Sequence, residues 1–174
     1  MVFGHRPDTT CLLREIMCTP SQTFDSAISI LRNAQTGPSY ITICSADRVA
    51  IVQRDYASAK VTVNDQSLSV ANHDDECEDW TEQEYMDWVV PQRDPLLMSS
   101  KDRKRCAIDQ AHHVKTIQDI VQLTQTWPVI NDLTTFGVIM SPERGTIDWE
   151  AWYKERPVPP KGEEAWGGEF TPPS

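Results

Sequence analysis

Paired cysteines are missing from this sequence. Its five cysteines (Cys11, Cys18, Cys44, Cys77 and Cys106) are odd in number, irregularly spaced and without a CxxC pair. That pattern argues against a zinc ribbon or a closed disulfide framework and leaves free, mostly buried thiols. Positive charge is scarce as well: 16 Lys and Arg stand against 26 Asp and Glu, a formal net charge of −10. Neutralising phosphates needs clustered basic side chains, so nucleic acid is not an expected partner. Only Lys101–Arg105 (KDRKR) forms such a run, and one run of this length reads as a solvated helix start. No stretch approaches the roughly 20 apolar residues of a membrane span, so no transmembrane segment is expected. The first residues, MVFGHRPDTTCLLRE, lack the apolar block of a signal peptide, and as written the chain reads as cytosolic. None of the short signatures GxSxG, GxxxxGK[ST], HExxH or GxGxxG occurs.

What is present fits a chain of 174 residues with one core over residues 1–155 and a Pro- and Gly-rich, weakly ordered tail over 156–174. In that tail, RPVPPKGEEAWGGEFTPPS, Trp166 and Phe170 are the expected anchors. Phe24, Ala27, Ile28 and Leu31 recur at helical spacing and predict a helix over 21–35, stopped by Thr36-Gly37-Pro38. Four short β-rich runs follow at 40–44, 48–53, 59–63 and 66–71 and predict an antiparallel meander. A short helix is expected around 81–89 and then a loop. Helices are expected at 100–112 and 116–125, and a last pair of strands at 134–140 and 146–153, joined by Ser141-Pro-Glu-Arg-Gly145. Strands in runs with segregated helices imply an α+β fold, an antiparallel sheet with helices packed on it.

One polar residue stands out. Asn72 closes the run SLSVAN just ahead of the carboxylates of HDDECED. A strand-end asparagine serves an Asx turn or presents its amide to a cleft. The acidic stretch itself reads as a solvated loop. Its ligand types are mixed and it lacks the glycine of a calcium loop, so no metal and no cofactor is expected. His112 and His113 are neighbours on a helix, about 100° apart, and read as a surface pair.

A longer pattern orders these pieces. The segments CLLREIM, SQTFDSAISILR, PSYITICSADRVAIVQRD, VANHD with EDW, DRKRCAI, TIQDIVQLTQTWPVIND and TTFGVIMSPERGTIDW, spanning most of residues 10–155, resemble the C-terminal portion of the acid ceramidase and N-acylethanolamine acid amidase family. Those are N-terminal nucleophile amidohydrolases of the choloylglycine hydrolase type. The resemblance implies incomplete αββα layers and hydrolysis of the carbon–nitrogen bond in an N-acylated lipid or amine through an acyl-thioester. By position it assigns Asn72 to the oxyanion hole and Arg103 to the same pocket. The family follows this asparagine with Tyr-Asp-His-Trp; here His73-Asp74-Asp75 follows, Trp80 comes late, and about ten extra residues lie between Trp80 and Asp102.

The nucleophile such chemistry needs is a cysteine freed at its own N-terminus, with its α-amino group as base. Cys18-Thr19-Pro20 imitates the start of the family's Cys-Thr-Ser signature, but a helix follows where a strand is required. The resemblance therefore implies that the attacking thiol belongs to polypeptide upstream of Met1. This chain alone should then be inactive, with exposed sheet edges, and should need the upstream half of the enzyme as partner and a fatty amide or ceramide-like molecule as substrate. Family members are lysosomal or secreted. Two alternatives share the scaffold: a fragment of a penicillin-acyltransferase-like enzyme, and a non-catalytic binding or regulatory module.

Overall fold

The structure, a computed structural model, describes residues 8–92 and 94–162. Trp166 and Phe170 lie outside the described residues. The chain separates into two compact units that divide between Leu68 and Ser69. Each is an α+β assembly with a small antiparallel sheet.

In the first unit, α1 (Thr9–Cys18) starts where the Asp8 carboxylate accepts the Thr10 N–H at 2.7 Å, an N-cap bond. The sequence expectations did not include this helix. Its apolar residues Leu12 and Leu13 and, one turn on, Ile16 face the core. A turn at Thr19–Gln22 leads out of it, with Ser21 in left-handed backbone at φ 64°. The next helix, α2 (Phe24–Asn33), opens with a reciprocal capping box between Thr23 and Ser26. It is the helix expected at 21–35, shortened at both ends because the cap sits at Thr23.

Three of the four expected strands follow: β1 (Ser39–Cys44), β2 (Val49–Arg54) and β3 (Ala59–Asn64), an antiparallel meander in sequential order. Ile41, Val52 and Val61 lie in one row across the sheet. That row points at α1 and α2, where Ile16, Ala27, Leu31, Ile41 and Val52 close the core. Arg54, almost wholly buried on this face, donates to the carbonyls of Leu31 and Arg32 at 3.3 and 3.0 Å. It thereby satisfies acceptors that the end of α2 leaves open. The fourth expected strand is absent: residues 67–71 carry no strand pairing, and Asn72 sits in a bend. The alternation of Leu68 and Val70 is real, but no neighbouring strand takes up its backbone groups.

The first helix of the second unit is a five-residue 3₁₀ helix over Asp75–Asp79, where a solvated loop was expected. Then come α3 (Glu82–Val89), a 3₁₀ turn at Val90–Gln92, α4 (Pro95–Met98), α5 (Ser100–Ala111) and α6 (Ile117–Thr124). The short α4 stands where a loop was expected, nucleated by the Asp94 carboxylate accepting the Leu96 N–H. Cys77, Tyr85 and Val89 form a core with Trp80, Met86, Leu97 and Met98 around it. The hairpin of β4 (Phe136–Ser141) and β5 (Thr146–Trp152) ends the unit, close to the expected strands. Gly145, at φ 62°, supplies the left-handed residue its loop needs. Residues 156–160 have no regular structure.

Replacing Leu31, 1% exposed, by alanine is expected to cost about 2–5 kcal/mol of stability. The same change at Met17, 85% exposed, should stay within about 0.5 kcal/mol. Urea unfolding of the full chain followed by circular dichroism compares the two.

Candidate functional site

The polar residues of the second unit converge where the 3₁₀ turn meets α5. In a 3₁₀ helix, residues three apart eclipse. Asp75 and Glu78 therefore stand on one side, and both reach the Lys104 ammonium, at 3.0 and 2.7 Å. On α5 the residues at 100, 103 and 104 share a face by helical spacing, and that face carries Ser100, Arg103 and Lys104 toward residues 72–78. Ser100 and His73 are wholly buried and Lys104 nearly so. Lys101, also buried, donates to the Trp80 carbonyl at 2.9 Å and lies 5.2 Å from the centre of the Tyr85 ring. The basic run is thus not a solvated helix start: two of its lysines point inward. The acidic stretch is likewise held, through Asp75, Glu78 and the buried Cys77.

The structure brings Asn72 and Arg103 together. Arg103 Nη2 donates to Asn72 Oδ1 and to the Leu96 carbonyl, both at 2.7 Å, and its Nε donates to Ser99 Oγ at 3.1 Å. A guanidinium has no acceptor, so the atom facing it must be the amide oxygen. That assignment turns the Nδ2 group of Asn72, an exposed residue, away from Arg103. Burial pulls the Arg103 pKa below the ordinary arginine value, against the pull of Tyr85 and Asp94. The group stays a cation at any physiological pH.

Behind Asn72 lies a second chain of bonds. The Asn72 backbone N–H donates to Ser100 Oγ at 2.7 Å, His73 Nδ1 lies 2.7 Å from the same oxygen, and His73 Nε2 lies 2.9 Å from Glu78 Oε1. Burial, the largest influence, lowers the His73 pKa against the opposing pull of Glu78, and Lys104 and Lys101 lower it further. The ring is neutral near pH 7. Glu78, a carboxylate, only accepts, so the proton sits on Nε2 and Nδ1 accepts from the Ser100 hydroxyl. Burial by itself would raise the Glu78 pKa, but the bonds from Lys104 and His73 outweigh it and hold the carboxyl below its ordinary value. With the ring neutral, Lys104 is the cation that does so. Lys104 in turn loses by burial but is carried above the ordinary lysine value by Glu78 and Asp75. Tyr85 packs edge-on to His73 at 5.8 Å and donates to the Leu97 carbonyl at 2.6 Å; burial pushes its phenol up to about 12.

Sequence reasoning missed His73, Glu78, Ser100 and Lys104. The available signal was slight: two carboxylates three residues apart, Asp75 and Glu78, ahead of the basic run that carries Lys104. Cys18 ends α1 as an exposed helical residue, and His112 and His113 are exposed beside the end of α5. Among the described residues, no group of three His, Cys, Asp or Glu side chains is arranged to hold a metal ion. No helix of the described residues is long and apolar enough to cross a membrane. No protein-family model matches the sequence, and no curated protein matches it.

His73 carries a sign for the pH dependence of stability. Its folded pKa lies below the ordinary 6.5, so the unfolded chain takes up the proton first on acidification. Stability is full above about pH 6.5 and falls as pH drops from there through the lower folded value. Glu78, depressed from 4.5, adds its own loss only at lower pH. Urea midpoints should fall between about pH 7 and 5, and His73→Gln, starting less stable, should flatten that slope. An equal slope in the variant would assign the titration elsewhere.

Proposed function

We propose that this chain is the C-terminal portion of a ceramidase-like cysteine amidohydrolase, in which Asn72 donates to the oxyanion and Arg103 fixes the Asn72 amide. The observation that carries the proposal is the 2.7 Å bond from Arg103 to Asn72 Oδ1. The two residues that the resemblance assigns to one pocket lie 31 positions apart, yet they share a hydrogen bond. The bond engages the amide oxygen and leaves the N–H₂ group free of Arg103, which is what a donor to an oxyanion needs.

The physical logic is that of a preorganised dipole. An amide carbonyl attacked by a thiolate becomes tetrahedral and its oxygen gains negative charge. A fixed side-chain N–H stabilises that charge by about 2.7–4 kcal/mol. Asparagine supplies the donor with no charge of its own to desolvate, and Arg103 removes the amide's freedom to flip. Expulsion of the amine leaves an acyl-thioester, and water then returns the acid and the free thiol. On this reading the thiol comes from a partner segment that begins Cys-Thr-Ser.

The test is a fatty-amide hydrolysis assay on this chain alone and after mixing with a separately expressed upstream segment. Release of fatty acid is expected only on mixing. Asn72→Ala is expected to lower kcat by about 10²–10³. Arg103→Lys keeps the charge but loses the fork, and should give a smaller loss. Inactivity in every combination would favour the non-catalytic module. Transfer of the acyl group to an added amine in preference to water would favour the acyltransferase.

A further inference from the structure

We infer that Ser100 and His73 are positioning residues for Asn72, and that the relay they form makes the placement of Asn72 answer to the protonation state of a buried imidazole. The inference deepens the proposed function, on which its catalytic meaning rests. The relay itself needs only this chain.

Asn72 is held at two points. Its side-chain oxygen is held by Arg103 and its backbone N–H by Ser100, each at 2.7 Å. Ser100 is the less obvious of the two holds, because its hydroxyl has a single proton and that proton is already directed. With Nε2–H donated to Glu78, Nδ1 of His73 is the acceptor for it. The Ser100 oxygen thereby presents its lone pairs to the Asn72 N–H. The order runs from Asn72 N–H to Ser100 Oγ–H, to His73 Nδ1, and from Nε2–H to Glu78, with Lys104 holding Glu78.

The same order of serine, imidazole and carboxylate occurs in hydrolytic triads, but burial excludes that use here. Ser100 is 0% exposed, and its oxygen already has two partners at 2.7 Å. A nucleophile must meet its substrate. This serine meets only protein.

Protonation reverses one link. An imidazolium has two donors and no acceptor, so Nδ1–H then points at Ser100 Oγ, and the serine proton must leave that direction. Its oxygen then accepts from both Asn72 N–H and Nδ1–H while its proton turns to the Tyr85 hydroxyl, so the bond to Asn72 becomes one of two that the oxygen shares. The charged and titratable groups that act on the ring come from each element against it: Glu78 from the 3₁₀ turn, Lys101 and Lys104 from α5, and Tyr85 from α3. Of these, only Glu78 accepts from the ring itself.

The experiment is nuclear magnetic resonance on the full 174-residue chain, labelled with ¹⁵N. In the unaltered protein near pH 7, the His73 ring should show a protonated Nε2 and an unprotonated Nδ1. On acidification, the Asn72 backbone N–H and side-chain N–H₂ signals should move with the same midpoint as the ring. Ser100→Ala should speed hydrogen exchange of the Asn72 N–H by about tenfold, the loss of one hydrogen bond, and leave the Val52 amide unchanged. Ser100→Thr should restore the protection. Asn72 signals that do not follow the His73 titration, or a His73 proton found on Nδ1 at neutral pH, would overturn the inference, and neither measurement needs a variant to fold. The result is independent of the amidase assay. Coupling without any amidase activity would sink the proposed function and keep the relay, whereas activity without coupling would do the reverse.

Discussion

The second unit turns on one desolvated ammonium. Lys104 is 8% exposed, and its Nζ meets Asp75 at 3.0 Å and Glu78 at 2.7 Å. An unpaired charge in that place would be strongly destabilising, and breaking such a pair by removing one partner typically costs about 3–5 kcal/mol. Glu78 is itself about one third exposed, so solvent screens part of the attraction. The pair does more to dictate arrangement than to add net stability. The eclipsed spacing of the 3₁₀ turn sets the two carboxylates side by side, so winding Asp75–Asp79 and satisfying Lys104 support one another.

From that constraint the rest of the site follows in sequence. The 3₁₀ turn delivers Glu78 to His73 Nε2 and so decides which ring nitrogen keeps the proton. The tautomer decides which way the Ser100 hydroxyl points, and Ser100 receives the Asn72 backbone. Arg103, one residue before Lys104, takes the Asn72 side chain. Both holds on Asn72 therefore come from the one helical face that Lys104 anchors.

The legible part of this chain was its periodicity. Leu31 and Ala27 on one helical stripe, and Ile41 and Val52 on facing strands, are apolar residues whose spacing already states which face is inward, and they are core. The hairpin was legible through Ser141–Gly145, because a turn with a left-handed glycine has few alternatives. The fourth strand was not, although Leu68 and Val70 alternate correctly: alternation reports a half-buried ribbon, and only a neighbour's hydrogen bonds make it a strand. The polar site was the least legible part. HDDECED and KDRKR each look like a solvated face when read singly, and local composition carries no mark of their pairing across 29 positions. Asn72 and Arg103 could be named together only through a resemblance, because nothing between them in sequence announces a contact.

Among the described residues, part of the scarce positive charge faces inward. Arg54 donates to the last carbonyls of α2, Lys101 to the Trp80 carbonyl, Arg103 to the Leu96 carbonyl, and Lys104 to two carboxylates. Three of these four complete the open acceptors at or near the ends of short elements, where the backbone has no partner of its own. Long cationic side chains suit that task, since their stems pack as hydrocarbon while their heads donate. The site is thus held from inside by cations.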